Sequence, residues 1–157
     1  MIGAVITVSD GVAAGVREDR SGRALVDALH ELGFSVVHRA VVPDEIDRIE
    51  AALRAVIPVA RLVVTTGGTG FGPRDVTPEA TRRVVEREAP GLFHLMMAGG
   101  LESTPMAALT RGVVGSTGTT LIVNLPGSLR GASENLASLT PVLGHVLDLL
   151  AGDTEHR

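Results

Sequence analysis

Apolar residues follow two patterns that alternate along the chain. Continuous apolar or β-branched runs predict buried strands at residues 2–8, 34–42, 62–66, 112–114 and 120–125. Pro or Gly lies at most of the joints between these runs and the segments that follow them. Runs without polar alternation are typical of strands that are covered on both faces, as in a parallel sheet.

The segments between the strands carry apolar residues at helical spacing. They predict five helices, at residues 22–32, 45–57, 77–89, 92–98 and 132–151. Ser21 is a candidate N-cap for the first helix, and Gly33 is a candidate C-terminal stop. Pro90 and Gly91 are expected to end the third helix, and Pro141 to interrupt the last one.

Strands that alternate with helices predict a mostly parallel sheet, because right-handed crossovers place the helices on both of its faces. The expected fold is a three-layer α/β/α domain over residues 1–151, followed by a polar tail at residues 152–157. Ligands of such folds bind beyond the carboxyl ends of the strands, where the strand order reverses. Polar residues are dense after three predicted strands, at residues 9–11, 66–70 and 126–128.

Composition excludes several classes of function. The 157 residues carry a net charge of −4, so no basic field is available for nucleic acid or for an anionic membrane. Cysteine is absent and all 14 basic residues are arginines, which excludes thiolate chemistry, a P-loop lysine and Schiff-base catalysis. No apolar stretch is long enough to span a membrane. We therefore expect a cytoplasmic protein without a nucleic-acid or membrane partner.

The glycine-rich segment at residues 65–77 carries the strongest local signal. Successive backbone N–H groups in such a segment can form an anion-binding nest, and the hydroxyls of Thr66 and Thr69 add donors. Pro73 stands where a dinucleotide fingerprint requires its third glycine, so the segment is not that motif. The alternative interpretation is a tight strand-to-helix turn that requires positive φ angles.

Two carboxylates adjoin these loops, and each has two interpretations. Asp75 can hold Mg²⁺ beside a phosphate nest, directly or through water, or it can close an Asx-turn onto nearby N–H groups. Asp44 heads the second predicted helix, either as its N-cap or as a second metal or substrate carboxylate. Arg74 can pair with a phosphate or with a surface carboxylate. Thr110 and Arg111 precede a strand, where a turn cap is the simplest role.

Other catalytic arrangements are disfavoured. The five histidines show no metal-ligand spacing. No histidine is placed to activate Ser9 or Ser128, and neither serine lies in a G-x-S-x-G elbow, so serine hydrolysis is a poor interpretation. The only aromatic residues are Phe34, Phe71 and Phe93, which offers no stacking platform for single-stranded nucleic acid.

Several motifs, taken together and in this order, resemble the molybdopterin adenylyltransferases, a family that includes the bacterial MogA type and the G domain of gephyrin. The resemblance extends from Ile2 to about Leu150. The matching residues are Val8-Ser9-Asp10, Glu18-Asp19-Arg20-Ser21-Gly22, Val42-Pro43-Asp44-Glu45-Ile46, TTGGTGFGPRDVTPEAT at residues 65–81, Glu86-Arg87-Glu88-Ala89-Pro90-Gly91, Leu109-Thr110-Arg111 and LIVNLPGS at residues 121–128.

The resemblance implies a molybdopterin-binding α/β fold of the MogA and MoaB type, usually a homotrimer. It implies adenylylation of molybdopterin by Mg-ATP with release of pyrophosphate, and a transient contact with the molybdenum insertase that acts next. Asp44 and Asp75 match the acidic residues that are expected to support Mg²⁺ and catalysis. The residues expected to bind substrate or nucleotide are Ser9, Asp10, Thr66, Gly67, Gly68, Thr69, Gly70, Arg74, Thr110, Pro126, Gly127 and Ser128.

The implied chemistry suits a chain without cysteine or lysine. The nucleophile would be the terminal phosphate of molybdopterin, whose second pKa of about 6 leaves it largely dianionic at neutral pH, so no general base is required. Thr110 stands where these enzymes more often carry Ser, and Gly72 replaces a frequent Ala, but neither departure removes a proposed catalytic carboxylate. The alternative function is a molybdopterin carrier of the MoaB type that does not adenylylate the pterin; the run PRDVTPEAT at residues 73–81 favours the enzyme.

Overall fold

The computed structural model describes residues 1–154, and its strands form one six-stranded sheet. The strands are β1 (Ile2–Val8), β2 (Val36–Val42), β3 (Leu62–Thr66), β4 (Arg87–Glu88), β5 (Val114–Thr117) and β6 (Thr120–Leu125). The helices are α1 (Asp10–Ala13), α2 (Arg20–Glu31), α3 (Ile46–Val56), α4 (Thr77–Arg82), α5 (Pro90–Ser103) and α6 (Leu129–Leu150), with a 3₁₀ helix at Pro105–Leu109. The predicted polar tail lies mostly outside the described residues.

The strand order is β2-β1-β3-β6-β5-β4. Strands β1, β2, β3 and β6 are parallel, whereas β5 is antiparallel to β6 and β4 is antiparallel to β5. The prediction of a mostly parallel sheet is confirmed. The chain moves from β1 outward to β2 and then returns to the other side of β1 for β3, so the order reverses between β1 and β3. Doubly wound sheets bind their ligands at this point.

Two apolar cores cover the two faces of the sheet. Successive side chains of a strand point to opposite faces, and in β1 Val5 belongs to one core while Ala4 and Ile6 belong to the other. The first core includes residues of α2, α5 and α6, and the second includes residues of α3 and α4. The predicted three-layer α/β/α arrangement is therefore confirmed.

The prediction that Pro141 interrupts the last helix is wrong. Helix α6 continues through it over 22 residues. An interior proline removes one hydrogen bond and costs about 3 kcal/mol or more. Residues on both sides of it, Leu136, Leu139, Leu143 and Leu147, are buried in the first core, and their burial offsets that cost.

Other boundaries also differ from the predictions, and Pro90 and Gly91 begin α5 rather than end the helix before it. The helix that begins at Thr77 ends at Arg82, because the chain then forms the edge strand β4 against β5. The strand predicted at residues 112–114 begins at Val114. Asp19 rather than Ser21 caps α2, since its carboxylate accepts the Gly22 N–H at 2.9 Å.

Replacing Asn124 with Ala is expected to destabilise this fold. The side chain is fully buried, and its amide donates to the hydroxyls of Thr65 at 3.0 Å and Thr81 at 2.9 Å, while its oxygen accepts the Val113 N–H at 3.0 Å. The variant leaves that N–H unpaired and opens a cavity. We expect the free energy of unfolding to fall by about 2–4 kcal/mol.

Urea unfolding followed by far-ultraviolet circular dichroism measures this loss, since the chain has no Trp or Tyr for fluorescence. Thr119→Ala, in the exposed turn between β5 and β6, serves as the control and should change stability by less than about 0.5 kcal/mol. An Asn124→Ala effect as small as that of the control would contradict the assigned role.

Candidate functional site

Two adjoining cavities lie beyond the carboxyl ends of β1, β2, β3 and β6. The polar cavity has a volume of about 600 Å³ and lies between the segments that follow these strands and the start of α2. The apolar cavity has a volume of about 390 Å³ and extends toward α5, the 3₁₀ helix and α6. Their walls share Gly68, Asp75, Gly127 and Ser128, so the two cavities form one continuous site.

The walls of this site include all of the predicted site residues except Asp10 and Arg74. The polar cavity alone is lined by Ser9, Asp44, Thr66 and Gly67. The apolar cavity alone is lined by Thr69, Gly70, Thr110 and Pro126. Residues that are 119 positions apart in the sequence, Ser9 and Ser128, therefore border the same space.

The glycine-rich loop has features of both predicted structures, the tight turn and the anion-binding nest. Gly67 and Gly68 have φ angles of +101° and +65°, so the tight turn is present. A Cβ atom on Gly67 would lie 2.2 Å from the Val8 carbonyl oxygen. In the described part of the chain the N–H groups of Gly68, Thr69 and Gly70 have no protein acceptor. These consecutive free donors line the site and are available to an anionic ligand.

Threonine hydroxyls hold the start of this loop in place. The Thr77 hydroxyl donates to the Gly67 carbonyl at 2.9 Å, and the Thr77 N–H donates to the Gly68 carbonyl at 3.0 Å. Val76 is the N-cap of α4, so Thr77 is the first residue of that helix, as predicted. The Thr66 hydroxyl donates to the Pro126 carbonyl at 2.7 Å, which joins the loop after β3 to the turn after β6.

Asp10 and Arg74 do not line the cavities, but Asp10 is hydrogen-bonded to Asp44, and Arg74 to Asp10. The Asp10 N–H donates to Asp44 Oδ2 at 2.8 Å, and the Asp44 N–H donates to Asp10 Oδ1 at 3.0 Å. The Arg74 guanidinium donates to both oxygens of Asp10 at 3.0 Å. The N-cap of α3 is Glu45, without a side-chain hydrogen bond, so the N-cap interpretation of Asp44 is wrong. Asp44 is instead held at the wall of the polar cavity by Asp10.

The two aspartates differ in their electrostatics. Burial raises the pKa of Asp44 above its ordinary value, and the negative charges of Asp10 and Asp75 raise it further. Hydrogen bonds from Arg74 lower the pKa of Asp10, and the hydrogen bond with the Asp44 backbone lowers it further. Of the two, Asp44 is thus the carboxylate whose charge is less compensated by the protein. A cation in the polar cavity would stabilise that charge.

Asp75 lies in the walls of both cavities. Its Oδ2 atom accepts the Gly72 N–H at 2.9 Å, and its own N–H donates to the Gly72 carbonyl at 3.0 Å. The local-turn interpretation is therefore correct for one carboxylate oxygen. The other oxygen has no hydrogen-bond partner in residues 1–154 and is free to bind a ligand.

The polar cavity is also lined by two arginines, Arg17 and Arg20, that were not among the predicted site residues. Neither Arg17 nor Arg20 forms an ion pair within the described residues, in contrast to Arg39, which binds Asp19. Burial alone would raise the pKa of Asp19, but donation by Arg39, Thr7 and Gly22 lowers it below its ordinary value. Asp19 is therefore a fixed anion that anchors the segment carrying both free arginines.

The apolar cavity contains residues that no motif indicated. Met106 comes from the 3₁₀ helix, and Glu134 and Asn135 come from α6. The two helices α5 and α6 pack closely at Gly100, where a Cβ atom would lie 3.0 Å from Asn135 Oδ1. Tertiary packing of α6 brings Glu134 and Asn135 to the site, so their placement has no local sequence signal.

The carboxylates do not form a metal centre by themselves. Among residues 1–154 no group of three or more His, Asp or Glu side chains is arranged to hold a metal ion. A metal bound by Asp44 and Asp75 would need further ligands from a substrate or from water. Over the same residues, no helix has the length and apolar character needed to cross a membrane.

Comparison with known proteins defines the class. Residues 4–145 match the model of a family described as a probable molybdopterin binding domain. This protein belongs to that family. The resemblance stated from the sequence motifs is thereby confirmed, and the site described above lies within the matched residues.

Individual relatives extend this result. The chain is 39% identical to the molybdopterin adenylyltransferase of Helicobacter pylori strain J99, over 95% of this chain and 87% of that enzyme. It is 41% identical to the molybdenum cofactor synthesis protein cinnamon of Drosophila melanogaster, of which it spans only 25%. Among solved structures, the molybdopterin biosynthesis enzyme MoaB of Thermus thermophilus is 47% identical with a TM-score of 0.90, covering 96% of both chains. A MogA structure is 39% identical with a TM-score of 0.91, covering 96% of this chain and 99% of that one.

Asp44→Asn is expected to make the ligand-free protein more stable at neutral pH. The pKa of Asp44 is raised in the folded chain, so ionising this group lowers the stability. That loss is absent below the unfolded pKa of 3.8, grows as the pH rises through the folded pKa and is complete above it. The gain in urea midpoint of the variant should therefore increase between about pH 3 and pH 7.

Asp47→Asn, whose carboxylate is 92% exposed, is the matched control and should show a small difference at every pH. An Asp44→Asn protein that is less stable than the wild type at pH 7 would contradict this electrostatic account.

Proposed function

We propose that this protein is a molybdopterin adenylyltransferase of molybdenum cofactor biosynthesis, with ATP and molybdopterin as its substrates. The observation that carries the proposal is the set of free loop N–H groups between the carboxylates of Asp44 and Asp75, in one continuous site. The similarity to the Helicobacter enzyme over 87% of its length supports the same activity.

The reaction needs alignment and charge compensation rather than a general base. An oxygen of the terminal phosphate of molybdopterin attacks the α-phosphorus of ATP, and the bond from that phosphorus to the bridging oxygen breaks. AMP is thereby joined to the pterin phosphate and pyrophosphate leaves. The free N–H groups of Gly68, Thr69 and Gly70 and the unpaired guanidinium groups of Arg17 and Arg20 are the donors that compensate the phosphate charges.

The two carboxylates fit a role in binding Mg²⁺. The ion usually takes one or two protein carboxylates and completes its shell with phosphate oxygens and water, which agrees with the lack of a self-sufficient metal centre among the described residues. The uncompensated charge of Asp44 and the free oxygen of Asp75 are suitable ligands, directly or through water. When bound, Mg²⁺ neutralises charge on the reacting phosphates.

A second candidate function is a molybdopterin carrier of the MoaB type. The Thermus MoaB protein, which is 47% identical, is described as a molybdopterin biosynthesis enzyme and not as an adenylyltransferase, so the similarity to it is compatible with this alternative. A carrier needs the pterin site alone. The free arginines and both carboxylates line a polar cavity of about 600 Å³, and a polyphosphate with its cation would engage them more fully than the single phosphate of the pterin, which favours the enzyme.

Asp75→Asn is expected to slow adenylyl transfer severely and to leave pterin binding largely intact. The carboxylate touches the substrate space, whereas its loop bond to Gly72 survives in the amide. In a single-turnover reaction with molybdopterin, ATP and Mg²⁺, we expect the rate of adenylyl-pterin formation to fall at least about 100-fold. The affinity for the pterin, measured by its absorbance or fluorescence, should change less than about 3-fold.

Asp47→Asn, outside both cavities, is the control and should react like the wild type. Stoichiometric product from the wild type supports the enzyme, and full activity of Asp75→Asn would remove Asp75 from the catalytic role. Tight pterin binding by the wild type without any product would establish the carrier instead.

We also propose a cytoplasmic homotrimer that makes transient contact with a molybdenum insertase. Support for the oligomer comes from α5, which carries apolar residues on all sides. It exposes Leu95 and Leu101, and the 3₁₀ helix that follows exposes Met106 and Leu109. A helix that is apolar all round is normally buried. A neighbouring protomer would cover this surface.

Sedimentation at micromolar concentration checks the assembly. We expect a single species of three times the chain mass of 16.2 kDa, because the exposed apolar side chains of α5 favour burial between protomers. A species with the mass of one chain over this concentration range would contradict the trimer.

A further inference from the structure

Arg111 makes an unusually complete set of contacts with one loop. Its Nε donates to the Gly70 carbonyl at 2.6 Å, one Nη donates to the Asp75 carbonyl at 2.8 Å, and the other binds the Glu79 carboxylate. Its backbone N–H donates to the Thr69 carbonyl at 2.7 Å. The guanidinium also lies 5.7 Å from the centre of the exposed Phe71 ring.

Different residues hold two parts of the loop. The part at Gly67 and Gly68 is fixed by Thr77. The part from residue 69 to residue 75 contains Gly70 and Gly72, and glycine gives a backbone its widest conformational freedom. In this part Arg111 donates to the carbonyl groups of Gly70 and Asp75. The position of the Asp75 carboxylate is therefore tied to Arg111 through the Asp75 carbonyl.

Arg111 does not itself reach the substrate space. It is absent from the walls of the polar and apolar cavities and borders a separate cavity with Phe93 and Val114. Its guanidinium is paired with Glu79, and the hydrogen bond from Arg111 is the main cause that lowers the pKa of Glu79. A direct contact between this guanidinium and a substrate phosphate is thus not part of its role.

We infer that Arg111 is a positioning residue for the adenylyl transfer, which sets the place of the Asp75 carboxylate through the backbone of the loop. This inference rests on the proposed function. The planar guanidinium presents several donors in a fixed fork, so one side chain can hold two carbonyl groups and a carboxylate together. A lysine at this position offers one compact ammonium group and can replace only part of these contacts.

The test compares Arg111→Gln and Arg111→Lys with Arg61→Gln. Arg61 is a matched control, since its guanidinium also binds two backbone carbonyls, those of Thr119 and Leu147, at the opposite end of the sheet. We expect Arg111→Gln to lower kcat about 10- to 100-fold with the KM for ATP changed less than about 3-fold, because misplacing a catalytic group mainly affects the transition state. Arg111→Lys should recover part of kcat, and Arg61→Gln should keep the wild-type kcat.

The decisive measurement is the same change in an Asp75→Asn background. If Arg111 acts through Asp75, Arg111→Gln should lower the single-turnover rate there by less than about 3-fold, because the two residues act as one unit. An equal loss in both backgrounds, or an unchanged kcat in Arg111→Gln, would overturn the inference. Glu79→Gln combined with Arg111→Gln serves as a second variant, because it removes the carboxylate that the single change leaves unpaired.

Hydrogen exchange of the loop amides provides a readout that does not depend on activity. In Arg111→Gln the Gly72 and Asp75 amides should exchange at least about 10-fold faster than in the wild type, while the Thr77 amide keeps its protection. Unchanged exchange at Gly72 and Asp75 would overturn the positioning role. A wild type without adenylyl transfer would overturn the proposed function, and the exchange measurement would still decide whether Arg111 holds the loop.

Discussion

The site depends on one close approach of backbone at the centre of the sheet. Gly67 follows β3 and passes so near the Val8 carbonyl that a Cβ atom would lie 2.2 Å from that oxygen. On the other side, a Cβ atom on Gly127 would lie 3.3 Å from the Gly67 Cα atom. Three chain segments therefore meet where the strand order reverses, and no side chain fits between them. The loop N–H groups and the turn after β6 border one space for this reason.

Around this junction some charged side chains form ion pairs within the protein, whereas others have no ion-pair partner. Asp10 is neutralised by Arg74, and Asp19 by Arg39. Asp44, Asp75, Arg17 and Arg20 form no ion pair among the described residues, and all four line the polar cavity. Such an arrangement lowers the stability of the empty protein and favours a ligand that carries both phosphates and a cation. Adenylyl transfer requires a ligand of that kind.

Local signals predicted much of this architecture. The strand runs, the glycine loop and the carboxylates after the strands depend on residues that are adjacent in the sequence, and motif order placed them in one family. What local signals do not identify are the distant partners: Arg74, for which a surface carboxylate was one of two expected partners, reaches Asp10 over 64 residues, and Arg111 reaches Gly70 over 41. The sequence did not predict that α6 continues through Pro141. The burial of the α6 leucines determines this continuation, whereas the local propensity of proline opposes it.

The most direct test of adenylyl transfer follows the fate of labelled phosphorus. One single-turnover reaction uses ATP labelled at the α-phosphorus and a second uses ATP labelled at the γ-phosphorus, each with molybdopterin and Mg²⁺. If the protein transfers an adenylyl group, the α label enters the pterin product and the γ label leaves as pyrophosphate. A γ label on the pterin or in inorganic phosphate, or no transfer of either label, would contradict it.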